Sequence, residues 1–186
     1  VYSLDGKELN EIKLPTVGRA SFSGERGQKE CFYSFASFTV PGAIYQYDMA
    51  QNKSSVYTEP KVKFSLNQYT TEQVFFNSKD GTRVPMFLTY RKGLKRSGKN
   101  PVLIYGYGGF NVSLSPNFSS MRIPFLENGG VYVQVNLRGG SEYGEEWHVA
   151  GTKMQKQNVF DDFISAAEWL VSNHFTSKEH IAIMGG

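Results

Sequence analysis

The sequence predicts a β-rich segment followed by an α/β domain with a mainly parallel sheet. The first 60 residues contain short runs rich in Phe, Tyr, Thr and Ser, separated by turn residues, as in antiparallel sheets. Three continuous apolar runs follow at 102–105, 131–137 and 181–184, and such runs are typical of strands buried on both faces. Because a helical pattern lies between the last two runs, we expect a parallel sheet with a crossover helix.

The composition is that of a globular protein. The chain has 186 residues, of which 40% are hydrophobic and 20% charged, enough for one domain and part of a second. Its net charge of +3 is too small to indicate a nucleic-acid partner. A local basic run is interpreted as a solvated loop. It comprises Arg91, Lys92, Lys95, Arg96 and Lys99.

Cysteine content and hydropathy favour a cytoplasmic protein without a membrane partner. Cys31 is the single cysteine, so an internal disulfide is impossible, as is usual in reducing compartments. No apolar run approaches the roughly 20 residues of a membrane-spanning helix, and no signal peptide is visible. The chain starts at Val1 and stops directly after an apolar run, so we expect both ends to be truncated.

The first region shows a weak repeat. The pattern of residues 1–6 recurs at 44–49, an offset of 43 residues, and a four-stranded propeller blade has a period of about 40–45 residues. Chance similarity between two hairpins remains the alternative. Pro60 and the lysines beside it predict a boundary, which gives domains at 1–62 and 63–186.

Local signals define the elements of the second region. Ser78 to Gly81 has the composition of a hairpin turn, and Pro85 in the following run predicts a strand that begins there or lies at a sheet edge. Apolar residues recur at helical spacing from Phe160 to Val171. We therefore expect a helix over 160–171, with Asp161 and Asp162 in its first turn, where the helix dipole favours negative charge.

Nucleotide and metal chemistry are not supported by the motifs. The glycines of 106–111 lack the third glycine of a dinucleotide fingerprint, and no P-loop pattern occurs. His148, His174 and His180 do not have the short spacing of metal ligands. The sequence therefore predicts no cofactor and no metal.

A hydrolase interpretation agrees better with the sequence. In α/β-hydrolases the nucleophilic serine lies in a G-x-S-x-G turn between a strand and a helix, and the apolar run ending in Gly185-Gly186 has the composition of the first half of such a turn. The serine would be the next residue. Ser141 follows two glycines, but Tyr143 occupies a position that needs a small residue, so Ser141 is interpreted as a loop residue.

Several motifs together carry a family resemblance. They are the segments 105–111, 136–144, 147–148, 156–158 and 160–163. Their order and intervals resemble the prolyl oligopeptidase family of serine peptidases across residues 72–186. The resemblance implies a partial α/β-hydrolase domain that ends just before its nucleophile, since Gly185-Gly186 falls where the family has Gly-Gly-Ser-Asn-Gly-Gly. It also implies that residues 1–60 are the last strands of a seven-bladed β-propeller.

The resemblance implies roles for two aromatic residues. Tyr107 resembles the tyrosine whose hydroxyl helps stabilise the oxyanion, and Phe110 resembles an aromatic residue that lines the proline pocket. The alternative for Tyr107 is an aromatic residue packed under the loop, and the alternative for Phe110 is an ordinary core phenylalanine. Arg138, Glu142, Trp147 and His148 resemble motif residues to which we assign structural roles. His148 is not expected to be the catalytic base, because in the family the triad runs Ser, Asp, His and would lie beyond Gly186.

The function implied by the resemblance is hydrolysis of short peptides on the carboxyl side of proline through a Ser-His-Asp acyl-enzyme. The segment alone is expected to be inactive, since it lacks the triad. The partners implied are short proline-containing peptides, and the intact protein is expected to be a monomer. Two alternatives remain: a peptide macrocyclase of the same family, and a non-catalytic propeller and hydrolase-like binding module.

Overall fold

The computed structural model describes residues 1–185, which form two compact units. The first unit comprises Val1–Leu66 together with Ser115–Ser119. The second comprises Asn67–Leu114 and the described residues from Ser120 onward. No helix within residues 1–185 has both the length and the apolar composition needed to cross a bilayer.

The first unit is built on a four-stranded antiparallel sheet in the order β1-β2-β3-β4. The strands are β1 Arg19–Ser23, β2 Glu30–Ala36, β3 Ala43–Asp48 and β4 Lys53–Thr58. A meander of four neighbouring strands over about 40 residues has the size of one propeller blade. The β-rich character predicted for this region is confirmed.

Aromatic side chains form the core of this sheet. Tyr33 and Phe35 of β2 are buried, and Tyr33 stacks on Phe22 and Tyr45 with ring centroids 4.9 and 5.0 Å apart. Of the two repeat copies, only the second is a strand. Residues 1–6 contribute a single bridge, between Tyr2 and Glu8.

The second unit contains a mixed five-stranded sheet in the order β5-β6-β8-β7-β9. Its strands are β5 Tyr69–Asn77, β6 Arg83–Arg91, β7 Val102–Gly106, β8 Val131–Val135 and β9 Ile181–Met184. β7 runs parallel to both β8 and β9, as predicted. The pairs β5–β6 and β6–β8 are antiparallel, so an antiparallel hairpin extends one side of the parallel sheet.

The hairpin between β5 and β6 confirms the turn prediction. Gly81 has a φ of +85°, a left-handed conformation that glycine adopts without steric cost.

The edge position inferred from Pro85 is wrong, because β6 lies between β5 and β8. The ladder with β8 begins at Met86, and Pro85 contributes its carbonyl oxygen, which accepts the Asn136 N–H at 3.0 Å. Proline is tolerated there because its missing N–H lies outside that ladder.

Three α-helices belong to the second unit. They are α1 Arg122–Glu127, α2 Glu145–Val149 and α3 Gln157–Ser172. The predicted helix is confirmed, and α3 buries Val159, Ala166 and Leu170 in the aliphatic core of the sheet. The expected position of Asp161 and Asp162 is wrong, because α3 begins at Gln157 and has no acidic residue in its first turn.

Candidate active site at the carboxyl ends of the parallel strands

The carboxyl ends of β7 and β9 lie side by side. Tyr105 pairs with Met184, so the residues that follow each strand emerge at the same edge of the sheet. At this edge a Cβ atom on Gly185 would lie 2.9 Å from the Gly106 carbonyl oxygen, which shows how closely the two chain segments approach. Ligands of open α/β sheets bind at such carboxyl ends. Gly186, the second glycine of the predicted nucleophile turn, lies outside the described residues.

A cavity of about 210 Å³ opens at this edge. It is mainly apolar, and its walls come from the ends of β7 and β9 and from the first half of α3. Its lining residues include Tyr107, Lys156, Val159, Phe160 and Gly185. A mostly apolar cleft with few polar groups is the usual form of a ligand site.

Residues 107–111, which we call the Tyr107 loop, leave the end of β7 in an unusual conformation. Gly108, Phe110 and Asn111 have φ values of +60°, +52° and +58°. A positive φ is uncommon for Asn and more so for a bulky residue such as Phe. A Cβ atom on Gly108 would overlap the Val159 side chain and lie 2.8 Å from Leu137 Cβ, so only glycine fits this position.

The two predicted site residues lie together on the Tyr107 loop. The ring centroids of Tyr107 and Phe110 are 6.4 Å apart. Tyr107 is half-buried and lines the cavity, whereas Phe110 is 87% exposed. Phe110 is therefore not packed in the core formed by residues 1–185. The oxyanion and pocket roles of the two residues remain predictions.

Arg138 is the centre of a buried polar cluster that follows β8. Its guanidinium group donates hydrogen bonds to both carboxylate oxygens of Asp162 and to the Asp80 carboxylate, and its backbone N–H also donates to Asp162. Arg138 is 3% exposed and Asp162 is fully buried. These buried bonds agree with the structural role assigned to Arg138 from the sequence. Asp162, interpreted from the sequence as a helix-start residue, is instead the buried partner of Arg138.

Asp80 connects this cluster to the hairpin turn between β5 and β6. The hydrogen bond from Arg138 holds the pKa of the Asp80 carboxyl at about 2, below its ordinary value of 3.8. Ser78 and Thr82 of the same turn also accept hydrogen bonds from Arg138 through their hydroxyl oxygens. The cluster therefore joins three elements that are far apart in the sequence.

Further side-chain hydrogen bonds hold the segment that follows β8. Asn136 donates to the Leu114 carbonyl oxygen at 2.8 Å and to the Glu142 carboxylate at 3.0 Å. The Trp147 indole donates to the Leu137 carbonyl oxygen at 3.1 Å. His148 Nδ1 lies 2.8 Å from the Gly139 carbonyl oxygen, a contact that orients a loop.

Two further serine residues, Ser141 and Ser177, contact other side chains. Ser141 Oγ lies 2.9 Å from Ser113 Oγ, in a loop as predicted. Ser177, which the sequence analysis did not single out, donates to Glu179 at 2.7 Å and lies 2.8 Å from His180 Nδ1. In a catalytic triad the acid orients the histidine, whereas here both groups contact the serine. This arrangement stands at the start of the 3₁₀ turn Lys178–His180.

The contacts of Asp80 and Lys156 are not predicted by the sequence. Asp80 lies in the predicted hairpin turn, and Lys156 lies in the motif segment 156–158. Lys156 Nζ donates to the Gly108 carbonyl oxygen at 2.7 Å across 48 residues of sequence. Within residues 1–185, no group of three or more His, Cys, Asp or Glu side chains is arranged to hold a metal ion.

The second unit combines a mixed sheet and helices with a cleft at the strand ends, as in α/β-hydrolases. The first unit contains an antiparallel sheet of the size of one propeller blade. Together they define a protein of the α/β-hydrolase class with propeller strands. Residues 116–186 match the model of the prolyl oligopeptidase family. Residues 1–60 match the model of the prolyl oligopeptidase N-terminal β-propeller domain. The chain belongs to the prolyl oligopeptidase family of serine peptidases.

Curated relatives match almost the whole chain. A prolyl endopeptidase of Elizabethkingia meningoseptica is 52% identical over 185 residues, which are 99% of this chain and 26% of the relative. A prolyl endopeptidase of Dictyostelium discoideum is 42% identical over 100% of this chain and 25% of its own length. The dual function macrocyclase-peptidase POPB of Amanita bisporigera is 37% identical, with 100% and 26% covered. The chain thus spans about a quarter of the length of these relatives.

Solved structures have the same fold over this region. The apo form of prolyl oligopeptidase B from Galerina marginata superimposes with a TM-score of 0.92 at 37% identity, covering 99% of this chain and 27% of that one. A prolyl endopeptidase structure at 49% identity gives a TM-score of 0.87 with the same coverage. These similarities confirm the fold class predicted from the sequence.

Proposed function

We propose that this chain is part of a serine endopeptidase that hydrolyses short peptides on the carboxyl side of proline. The observation that carries the proposal is the placement of Tyr107 at the end of β7, beside Gly185 at the end of β9, in a member of this family. Residues 1–62 are proposed as the C-terminal part of the propeller and 63–186 as the N-terminal half of the peptidase domain. The propeller match at 1–60 supports the first assignment.

The proposed mechanism passes through an acyl-enzyme. A serine following Gly186 attacks the carbonyl carbon, a histidine takes its proton, and the C–N bond breaks as that proton passes to the leaving amine. Water then hydrolyses the ester in the same way. The Tyr107 hydroxyl donates to the oxyanion that forms in each step, and a donor of this kind contributes about 2.7–4 kcal/mol. Phe110 is proposed as a wall of the proline pocket, which agrees with its exposure.

Residues 1–186 by themselves are inactive, because the three triad members lie elsewhere in the whole protein. That protein acts as a monomer in the cytoplasm on short proline-containing peptides and uses no cofactor. If the residue after Gly186 is not a nucleophile, the binding-module alternative takes the place of the enzyme.

Ring closure is the second candidate reaction, and the 37% identity to a dual function macrocyclase-peptidase favours it. Both reactions share the acyl-enzyme. They differ in whether water or the amino end of the same peptide attacks the ester. Mass spectrometry of the products distinguishes the two reactions. Hydrolysis of the acyl-enzyme adds one water to the peptide and ring closure does not, so the cyclic product is about 18 Da lighter than the linear one.

Replacing Tyr107 by Phe in the full-length protein tests the oxyanion role. We expect kcat/KM for a proline-containing peptide to fall by about 10²–10³, with little change in Tm because the ring still packs. Tyr143→Phe is the matched control, since Tyr143 is an exposed tyrosine whose ring packs on Trp147. An equal, small effect of both changes would show that Tyr107 has only a packing role.

A further inference from the structure

We propose that Lys156 is a positioning residue for Tyr107, because its ammonium group holds the Gly108 carbonyl and thereby fixes the Tyr107 loop. This inference rests on the proposed function of Tyr107. Lys156 immediately precedes α3, a long helix anchored in the core through Val159 and Leu170. A rigid element thus carries the group that contacts the loop.

The Tyr107 loop needs an external restraint. Phe110 and Asn111 both have positive φ, a backbone state that costs energy and persists only where surrounding contacts impose it. The backbone makes two such contacts: Asn111 N–H donates to the Gly139 carbonyl oxygen at 3.2 Å, and Val112 N–H donates to that of Gly109 at 3.1 Å. Both lie on the far side of Gly108 from Tyr107, so neither fixes the peptide group that joins Gly108 to Gly109.

Lys156 supplies the restraint at that peptide group. Its Nζ lies 2.7 Å from the Gly108 carbonyl oxygen, at the short end for a charge-assisted hydrogen bond. Within residues 1–185 the ammonium group makes no ion pair with a carboxylate. The Val159 side chain, one turn along α3, packs against the Gly108 Cα where a Cβ atom would overlap it. The start of α3 therefore holds Gly108 by its carbonyl oxygen and by its Cα.

The position of Gly108 sets the direction of Tyr107. Tyr107 lies between Gly106, the last residue of β7, and Gly108, and both glycines permit backbone rotation that other residues do not. Because β7 is fixed in the sheet, the orientation of the backbone at Tyr107 depends on how Gly108 is held. Loss of the Lys156 contact would let the peptide groups on either side of Gly108 rotate and would displace the Tyr107 hydroxyl from the oxyanion.

The first test measures the amide exchange rate of the Tyr107 loop and does not rely on activity. Hydrogen–deuterium exchange of the full-length protein is compared for the wild type and Lys156→Met, which keeps most of the apolar stem. We expect faster exchange at the amides of Asn111 and Val112 and unchanged exchange along α3. Lys153→Met is the control, because Lys153 is exposed and its ammonium makes no bond within residues 1–185. Unchanged exchange at the Asn111 and Val112 amides would overturn the proposal.

The second test is a double-mutant cycle with Tyr107→Phe. We expect Lys156→Met to lower kcat by about 10- to 100-fold with little change in KM, since small displacements of a catalytic group have effects of this size. Lys156→Arg retains a cation and should restore most of the rate. In the Tyr107→Phe background the effect of Lys156→Met should shrink to less than about threefold, because interacting residues are not additive.

The outcomes separate this inference from the proposed function. If Tyr107→Phe leaves kcat/KM unchanged, the oxyanion assignment is wrong. If Tyr107→Phe lowers the rate but Lys156→Met has the same effect in both backgrounds, Lys156 does not act through Tyr107 and this inference alone is wrong. If Lys156→Met lowers the Tm by more than about 5 °C, which would indicate a general loss of stability, Lys156→Gln is used in its place with the same criteria.

Discussion

Two segments leave neighbouring parallel strands at the same edge of the sheet, and they are built in opposite ways. The segment 136–144 after β8 places its positive φ values on Gly139 and Gly144, whereas the Tyr107 loop after β7 places two of them on Phe110 and Asn111. The β8 segment is held by a buried arginine and several side-chain hydrogen bonds. One side-chain hydrogen bond, from Lys156, holds the Tyr107 loop within the described residues.

The difference indicates that the two segments have different roles: the segment 136–144 supports the site, and the Tyr107 loop carries the proposed catalytic group. A buried polar network whose members are paired is rigid and specifies one arrangement, which suits a supporting segment. Backbone strain is concentrated at functional sites, where the surrounding structure imposes it. The Tyr107 loop also packs against the β8 segment, since Asn111 donates to Gly139. The rigid segment therefore supports the strained one.

The largest effect is expected from Asp162→Asn in the β8 scaffold. The change leaves the buried Arg138 without its main counter-charge, and breaking a buried pair in this way costs about 3–5 kcal/mol. Urea denaturation of the full-length protein measures it. Asp161→Asn is the matched control on the same helix, because the Asp161 carboxylate accepts a hydrogen bond from Gln157 at an exposed site, and we expect the unfolding free energy to change by less than about 0.5 kcal/mol. Equal effects of the two substitutions would contradict the rigidity inferred for the segment 136–144.

A smaller effect is expected from Gly108→Ala in the Tyr107 loop. The new Cβ atom would overlap the Val159 side chain at a φ of +60°, and overpacking of this kind costs about 1–3 kcal/mol. Activity should fall further than stability, because the displaced loop carries Tyr107. At Gly109 a Cβ atom would meet nothing nearer than Lys156 Nζ at 3.9 Å, so Gly109→Ala serves as the tolerated control. Equal tolerance at both positions would contradict the close packing of Gly108.

The smallest effect concerns Asp80 and pH. Because the pKa of its carboxyl is lowered to about 2 in the folded protein from 3.8, its ionised form stabilises the fold above about pH 4, and this contribution is lost as the pH falls toward 2. The Asp80 side chain is 45% exposed, so solvent screening limits the contribution to about 1 kcal/mol. The difference in unfolding free energy between wild type and Asp80→Asn should therefore shrink between pH 5 and 2. A constant difference would contradict the pairing with Arg138.

The sequence by itself determined the parallel strands of the second unit, its long helix and their order. Continuous apolar runs predicted β7, β8 and β9, and helical spacing predicted α3, because burial on two faces or on one stripe leaves a periodic record in neighbouring residues. The turn at Gly81 could be predicted for a similar local reason, since few residues adopt positive φ. Tyr107 and Phe110 became candidates through motifs, and their place after an apolar run ending in glycine already put them at a strand end.

Only the tertiary structure decided which partners these residues have. Helical position suggested a dipole role for Asp162, but the burial of Asp162 and its bond to Arg138 depend on how α3 packs against the end of β8. Lys156 and Gly108 are 48 residues apart, and Arg138 and Asp80 are 58 apart. No local pattern records such pairs, because periodicity and turn chemistry act over a few residues, whereas these contacts form only when the sheet order places β8 between β6 and β7.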